Sequence, residues 1–240
     1  MAFGKSNSNE SNWMSFSDVM TGLMVIFMFI AISYMADVQK KQVMPFEELR
    51  ATKEQLYAEL EKEFKGDFSE WEVELDEDLS IKFTNPEVLF NSGKSEIRPN
   101  FADILNQFLP RYFDILLDTN YTNKIAEIRI EGHTDTVPAP KYDSDPYIGN
   151  VKLSQLRSSE VLKYFRGMTY YEQLSDSDEE QLQYWLTANG LSYGRTLDSH
   201  KELTAVTGKP INNQFSRRVE FRIITTTENL IEQVLKEIGK

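Results

Sequence analysis

One stretch limits what this chain can fold into: Trp13 to Met35, WMSFSDVMTGLMVIFMFIAISYM. From Val19 to Met35 it carries no charge, and Phe, Met, Ile, Leu and Val fill most positions. At a helical rise of about 1.5 Å, these roughly 17 residues reach about 25 Å, close to the thickness of a bilayer's hydrocarbon core. Trp13 and Tyr34 suit the two interfaces. A membrane helix over residues 13–36 is expected, as a retained anchor. Only Lys5 precedes the long run, and no small-x-small cleavage site follows it. Asp18 breaks the pattern at the N-terminal edge. An ionised carboxylate there costs a few kcal/mol or more unless it faces protein, water or a counter-ion, and uptake of a proton lowers that cost. Two readings follow. Either Asp18 loads and unloads protons as part of an ion pathway, or it lies in the headgroup layer of a plain anchor.

The remaining length of the 240-residue chain suits one domain of ordinary size. A net charge of −12 with no basic stripe argues against direct contact with nucleic acid or anionic lipid. Cysteine is absent, so neither disulfides nor thiolate chemistry enter. Lys5 before the span and Lys40 and Lys41 after it leave the orientation open on charge alone.

Residues 1–12 read as a polar tail and residues 37–66 as a linker whose Phe46–Phe64 part is helical. Phe46, Leu49, Leu56, Leu60 and Phe64 recur at helical spacing, a stripe suited to a partner copy, to a membrane surface, or to a plug over a channel. Residues 67–228 read as the domain, and residues 229–240 as a C-terminal helix. Trp71–Leu75 and Leu79–Phe83 alternate as strands around an Asp76-Glu77-Asp78 turn. Asn100–Leu117 is helical, with a kink or break expected at Pro110. Strands are expected over Lys124–Glu131 and Arg218–Thr225, and helices over Asn150–Phe165 and Ser175–Leu186. The alternation indicates an α+β, two-layer sandwich.

For chemistry, Gly132-His133-Thr134-Asp135 follows a strand directly, and Arg157 lies near the start of the next helix. A strand–loop–helix unit can bring Asp135 and Arg157 together, either as a clamp for a zwitterion or as an internal salt bridge. His133 with Asp135, Asp143 and Asp145 matches no standard metal spacing, although the Asp143-Ser144-Asp145 loop offers oxygens for calcium. No cofactor, resident metal or enzymatic activity is expected.

These residues carry a resemblance. Phe90-Asn91-Ser92-Gly93 with Ile97-Arg98-Pro99, then Glu131-Gly132-His133-Thr134-Asp135, then Asn150-x-x-Leu153-Ser154-x-x-Arg157, then Arg217-Arg218-Val219-Glu220-Phe221 follow the order seen in OmpA-like peptidoglycan-binding domains. The resemblance covers roughly Asp67 to Thr226. It implies a βαβαβ sandwich holding the diaminopimelate group of the wall peptide, with Asp135 and Arg157 as main ligands and Thr134, Asn150 and Arg217 beside them. The chain departs from that pattern in a long Thr136–Gly149 loop with three prolines, in Ser216 where Asn is common, and in an insertion over Gly167–Trp185.

The N-terminal stretch, with Trp13 and Ser17-Asp18-Val19-Met20-Thr21-Gly22, resembles stator B subunits of the MotB type, and among them those of the Zorya anti-phage defence systems. That resemblance implies a single-pass protein of the bacterial inner membrane, with a cytoplasmic N-terminus and a periplasmic C-terminal domain. It implies a dimer of this chain inside a pentamer of a MotA-like partner, ZorA, with defence effectors engaged indirectly. Asp18 would carry the ion, by resemblance a proton, and Thr21 and Gly22 would share its helix face. A flagellar stator subunit and a passive membrane-to-wall anchor are the alternatives.

Overall fold

A computed structural model describes residues 8–42 and 44–228. The chain divides into two units, Met1–Glu48 and Leu49–Lys240. Its elements, in order, are α1 (Ser8–Gln42), α2 (Met44–Phe64), α3 (Phe68–Trp71), β1 (Val73–Leu75), β2 (Ser80–Phe83), α4 (Pro86–Leu89), α5 (Pro99–Leu116), β3 (Ile125–Gly132), α6 (Pro146–Arg166), α7 (Thr169–Glu172), α8 (Asp176–Trp185), β4 (Leu186–Gly190), α9 (Thr204–Thr207), α10 (Asn213–Ser216) and β5 (Val219–Thr225).

In the first unit, α1 contains a segment, Ser17–Val38, long and apolar enough to cross a membrane. Its large side chains are exposed, as a lipid-facing helix requires. The helix begins at Ser8, inside the stretch read as a polar tail, because nothing between Ser8 and Trp13 breaks a helix. The expected C-terminal helix lies outside the described residues from residue 229 on, as does the tail over residues 1–7.

In the second unit a five-stranded sheet has the order β1-β2-β5-β3-β4. Every pairing is antiparallel except β3 with β4. Side chains alternate between its two faces. Ile128, Ile130, Val219, Phe221 and Ile223 bury one face together with Phe101, Phe108 and Tyr112 of α5 and Val161 and Phe165 of α6. Phe108 is central: its ring centroid lies 5.1 Å from that of Phe83, 5.2 Å from Phe221 and 4.9 Å from Tyr112. Glu131 and Glu220 face each other on the opposite, polar face.

Several expectations change. Helix α5 runs unbroken through Pro110, because Phe108, Leu109, Tyr112 and Phe113 are buried on both sides of it and packing outweighs one missing backbone bond. Strand β4 is unexpected, and its first residue, Leu186, falls at the end of the helix expected over Ser175–Leu186. Trp71 belongs to the short α3, and Leu79 adopts a left-handed conformation (φ 64°) at the end of the turn, so β2 starts one residue later. The apolar stripe of the linker is claimed by the domain itself: Leu56, Leu60 and Phe64 belong to the core. Arg111 of α5 locks this end of α2, donating from Nε to Glu63 (2.6 Å) and from Nη1 to Asp67 (2.8 Å), with its guanidinium 4.7 Å from the Phe64 ring. That half of the stripe is therefore not free for a partner copy. The side chains of Phe46 and Leu49 lie outside the described residues.

Candidate functional site

The site is set by a close approach of helix to sheet. Gly132 and Gly190 are register partners at the ends of β3 and β4. A Cβ on Gly132 would overlap the Ser154 carbonyl, and one on Gly190 would overlap the Gln155 backbone. Only glycine lets α6 pass this near. Gln155 then fastens the crossing, accepting from Gly190 N (2.8 Å) and donating to the Ala188 carbonyl (2.9 Å). One turn further along α6, Arg157 is thereby brought beside the chain leaving β3, which carries Thr134 and Asp135.

All five residues expected at the site line one cavity of about 110 Å³: Thr134, Asp135, Asn150, Arg157 and Arg217. Their roles differ. The internal ion pair is Asp135 with Arg217, at 2.5 Å, rather than Asp135 with Arg157. The other Asp135 oxygen accepts from Val137 N at 3.0 Å. Arg157, 6% exposed, donates from Nε to the Lys94 carbonyl at 2.9 Å, and its guanidinium carbon lies 5.1 Å from the Phe90 ring centroid. Its remaining guanidinium donors make no hydrogen bond among the described residues. Burial pushes the Arg157 guanidinium down to about 10, against opposing pulls from Tyr142 and Asp135. The buried Thr134 hydroxyl has no hydrogen-bond partner among the described residues. Asn150 has a scaffolding task, because its amide donates to the carbonyls of Val137 (2.9 Å) and Pro146 (3.0 Å) and pins both ends of the long loop. The arrangement offers a buried cation, a carboxylate with lone pairs to spare and a free hydroxyl, the groups that recognise a carboxylate beside an ammonium.

Sequence reasoning missed Tyr142, Phe90 and Lys94 as site residues. Tyr142 donates to the Gly93 carbonyl at 3.1 Å, so the long loop closes over the turn that receives Arg157. Phe90 stood in a recognised motif, but nothing in that motif pointed to its contact with Arg157. The carboxylates that loop could offer calcium have protein partners: Asp145 caps α6 through Tyr147 N and Ile148 N, and Asp143 pairs with Lys152 at 2.5 Å.

A second cluster lies on the polar face. His133 Nε2 is 3.5 Å from Glu131 and 3.6 Å from Glu220, and these three are the group among the described residues with ligand atoms close enough for a metal ion. Arg218 already pairs with Glu220 at 2.5 Å, and Arg195 with Glu131 at 3.4 Å. A divalent cation would add buried positive charge beside these guanidinium groups, so the cluster fits a compensated charge network rather than a metal centre. Burial alone raises the Glu220 carboxyl, but His133 and Arg218 together outweigh it and hold it well below the usual carboxylate range.

On α1, Asp18 is exposed, and the Thr21 hydroxyl donates to the Ser17 carbonyl at 2.8 Å. An added Cβ at Gly22 would meet nothing, so this helix face is open at Gly22.

The chain thus combines a helix long and apolar enough to cross a membrane, with an acidic residue at its edge, and an α+β domain that holds an Asp–Arg cavity. No family model matches the chain. The Zorya protein ZorB of Escherichia coli (strain Crooks) is 35% identical over 241 residues, covering 97% of this chain and 96% of the relative. The chain belongs to the ZorB family. Among solved structures, a MotB-like protein from Desulfovibrio vulgaris is 24% identical with a TM-score of 0.49, covering 75% of this chain and 98% of that one. The periplasmic domain of Helicobacter pylori MotB is 18% identical with a TM-score of 0.39, covering 66% and 84%.

Proposed function

We propose that this ZorB-family chain is the wall-anchored B subunit of a proton-driven rotary motor in anti-phage defence. The domain grips peptidoglycan in the cavity of Asp135 and Arg157, while Asp18 carries the ion at the interface with a pentamer of the MotA-like ZorA. Two copies of the chain sit inside that pentamer, in the bacterial inner membrane, with the domain in the periplasm. Thr21 assists Asp18: its donor is engaged by Ser17, but its oxygen still accepts, so it can hold the protonated carboxyl.

The observation that carries the wall-binding half is Arg157, a buried cation whose one hydrogen bond among the described residues is to a carbonyl. An anionic ligand would supply the charge that the fold withholds. The paired carboxylate of Asp135, already oriented by Arg217 and Val137 N, accepts the ligand's ammonium.

The test is Asp18→Asn in cells carrying the complete system, with membrane insertion checked. Loss of protection against phage is expected, since an amide cannot take up and release a proton. Protection at the wild-type level would leave a passive tether between membrane and wall.

A further inference from the structure

Ser92, Arg157 and Arg217 are shared walls of two hollows. One is the cavity of Asp135. The other, about 360 Å³, is completed chiefly by Phe90, Asn91, Arg98 and Arg218, and has no acidic residue on its walls among the described residues. Four arginines therefore line one space. The carboxylates that pair with Arg217 and Arg218, Asp135 and Glu220, are not among the walls of this hollow.

Arg157, Arg217 and Arg218 keep donors beyond those their own bonds use. A guanidinium carries five N–H groups in a planar fork. Arg218 spends Nε on Glu220 and Nη1 on the carbonyls of Arg195 and Ser216. Arg217 spends Nη1 on Asp135, and Arg157 spends Nε on Lys94. These bonds fix the three side chains from behind, a preorganisation that favours a planar anion over a flexible cationic or apolar group. Arg98 is half-buried, and its backbone is held independently, its N–H donating to the Leu89 carbonyl at 3.2 Å and its own carbonyl accepting from Ala102 at the start of α5.

We infer that this arginine-walled hollow binds a second carboxylate of the same wall peptide, one residue away from the zwitterionic group held at Asp135 and Arg157. The inference rests on the wall-peptide reading above. A ligand spanning both hollows would place its ammonium at Asp135 and one carboxylate at Arg157, with its second carboxylate among Arg98, Arg217 and Arg218. The site would thus distinguish wall peptides by whether that neighbouring carboxylate is free or amidated.

The ligand itself supplies the cleanest test. Binding of the full-length protein in detergent is measured by calorimetry to two tripeptides, alanyl-γ-glutamyl-meso-diaminopimelate and its analogue with the glutamyl α-carboxylate amidated. The free acid should bind about tenfold more tightly or better, the scale of a charge-assisted hydrogen bond. In Arg98→Gln, with its melting temperature confirmed, that gap should shrink to twofold or less, while the amidated peptide binds as it does to the wild type. Equal affinity of the two peptides for the wild type, or an equal loss of both in Arg98→Gln, would overturn the second-carboxylate site and leave the Asp135–Arg157 reading standing. Failure of both peptides to bind the wild type would overturn the wall-peptide reading itself.

Discussion

Arg157 and Glu220 are both buried and charged, and they behave in opposite ways. Glu220 is compensated by Arg218 and His133, so its charge stabilises the fold. Its folded value lies below the unfolded value near 4.5, so the stability is fully present above that pH and is lost progressively as pH falls beneath it. Thermal melting followed downward from pH 5 should show a steep acid limb. Glu220→Gln should be less stable at pH 7 by about 3 kcal/mol, the cost of stripping a buried pair of one partner, and should show an acid limb shallower by about one proton. Arg157 is the reverse case, because its charge is buried without an ion pair among the described residues and costs stability at neutral pH. Arg157→Met removes that cost, against which stand one hydrogen bond to Lys94 and the contact with Phe90. The melting temperature should stay level or rise, while retention on intact peptidoglycan in a pull-down is lost. A clear fall in melting temperature would mark Arg157 as a structural residue instead.

At the scale of elements, α2 and β4 show where local pattern runs out. The stripe Leu56, Leu60 and Phe64 was plain in the sequence, but spacing names a buried face and not its partner. The partner here is the aromatic wall of Phe108 and Trp71 in the same chain. Leu60 is fully buried, so Leu60→Ala should cost about 2–5 kcal/mol in urea denaturation of the detergent-solubilised protein. A change under about 0.5 kcal/mol would mean that α2 is only laid on the domain. Strand β4, Leu-Thr-Ala-Asn-Gly, has little intrinsic strand preference and exists because α6 must pass over it closely, which selects Ala188 and Gly190. The strands carrying alternating apolar residues, and the strand–loop–helix unit joining Asp135 to Arg157, were legible for the opposite reason: each rests on local period and motif. The pairing of Asp135 with Arg217, separated by 82 positions, was not legible, since it depends on β3 and β5 lying side by side.

For the whole molecule, the residues proposed for ion transfer and for wall binding fall in separate units, one ending at Glu48 and the other beginning at Leu49. Asp18→Asn should therefore abolish protection while leaving both the domain's melting temperature and its wall retention at wild-type values. Coupled losses would show that the two units fold or act as one. The docking of α2 onto the domain core also carries a mechanical consequence. Among the described side chains, burial in the domain begins at Thr52, and the apolar segment ends at Val38, so about 13 residues lie between them. At full extension such a stretch spans about 45 Å. On the wall-anchoring reading proposed above, a wall farther from the bilayer would be reached only by peeling Leu56, Leu60 and Phe64 off the core, which would make α2 a reel whose grip sets how much slack the anchor releases.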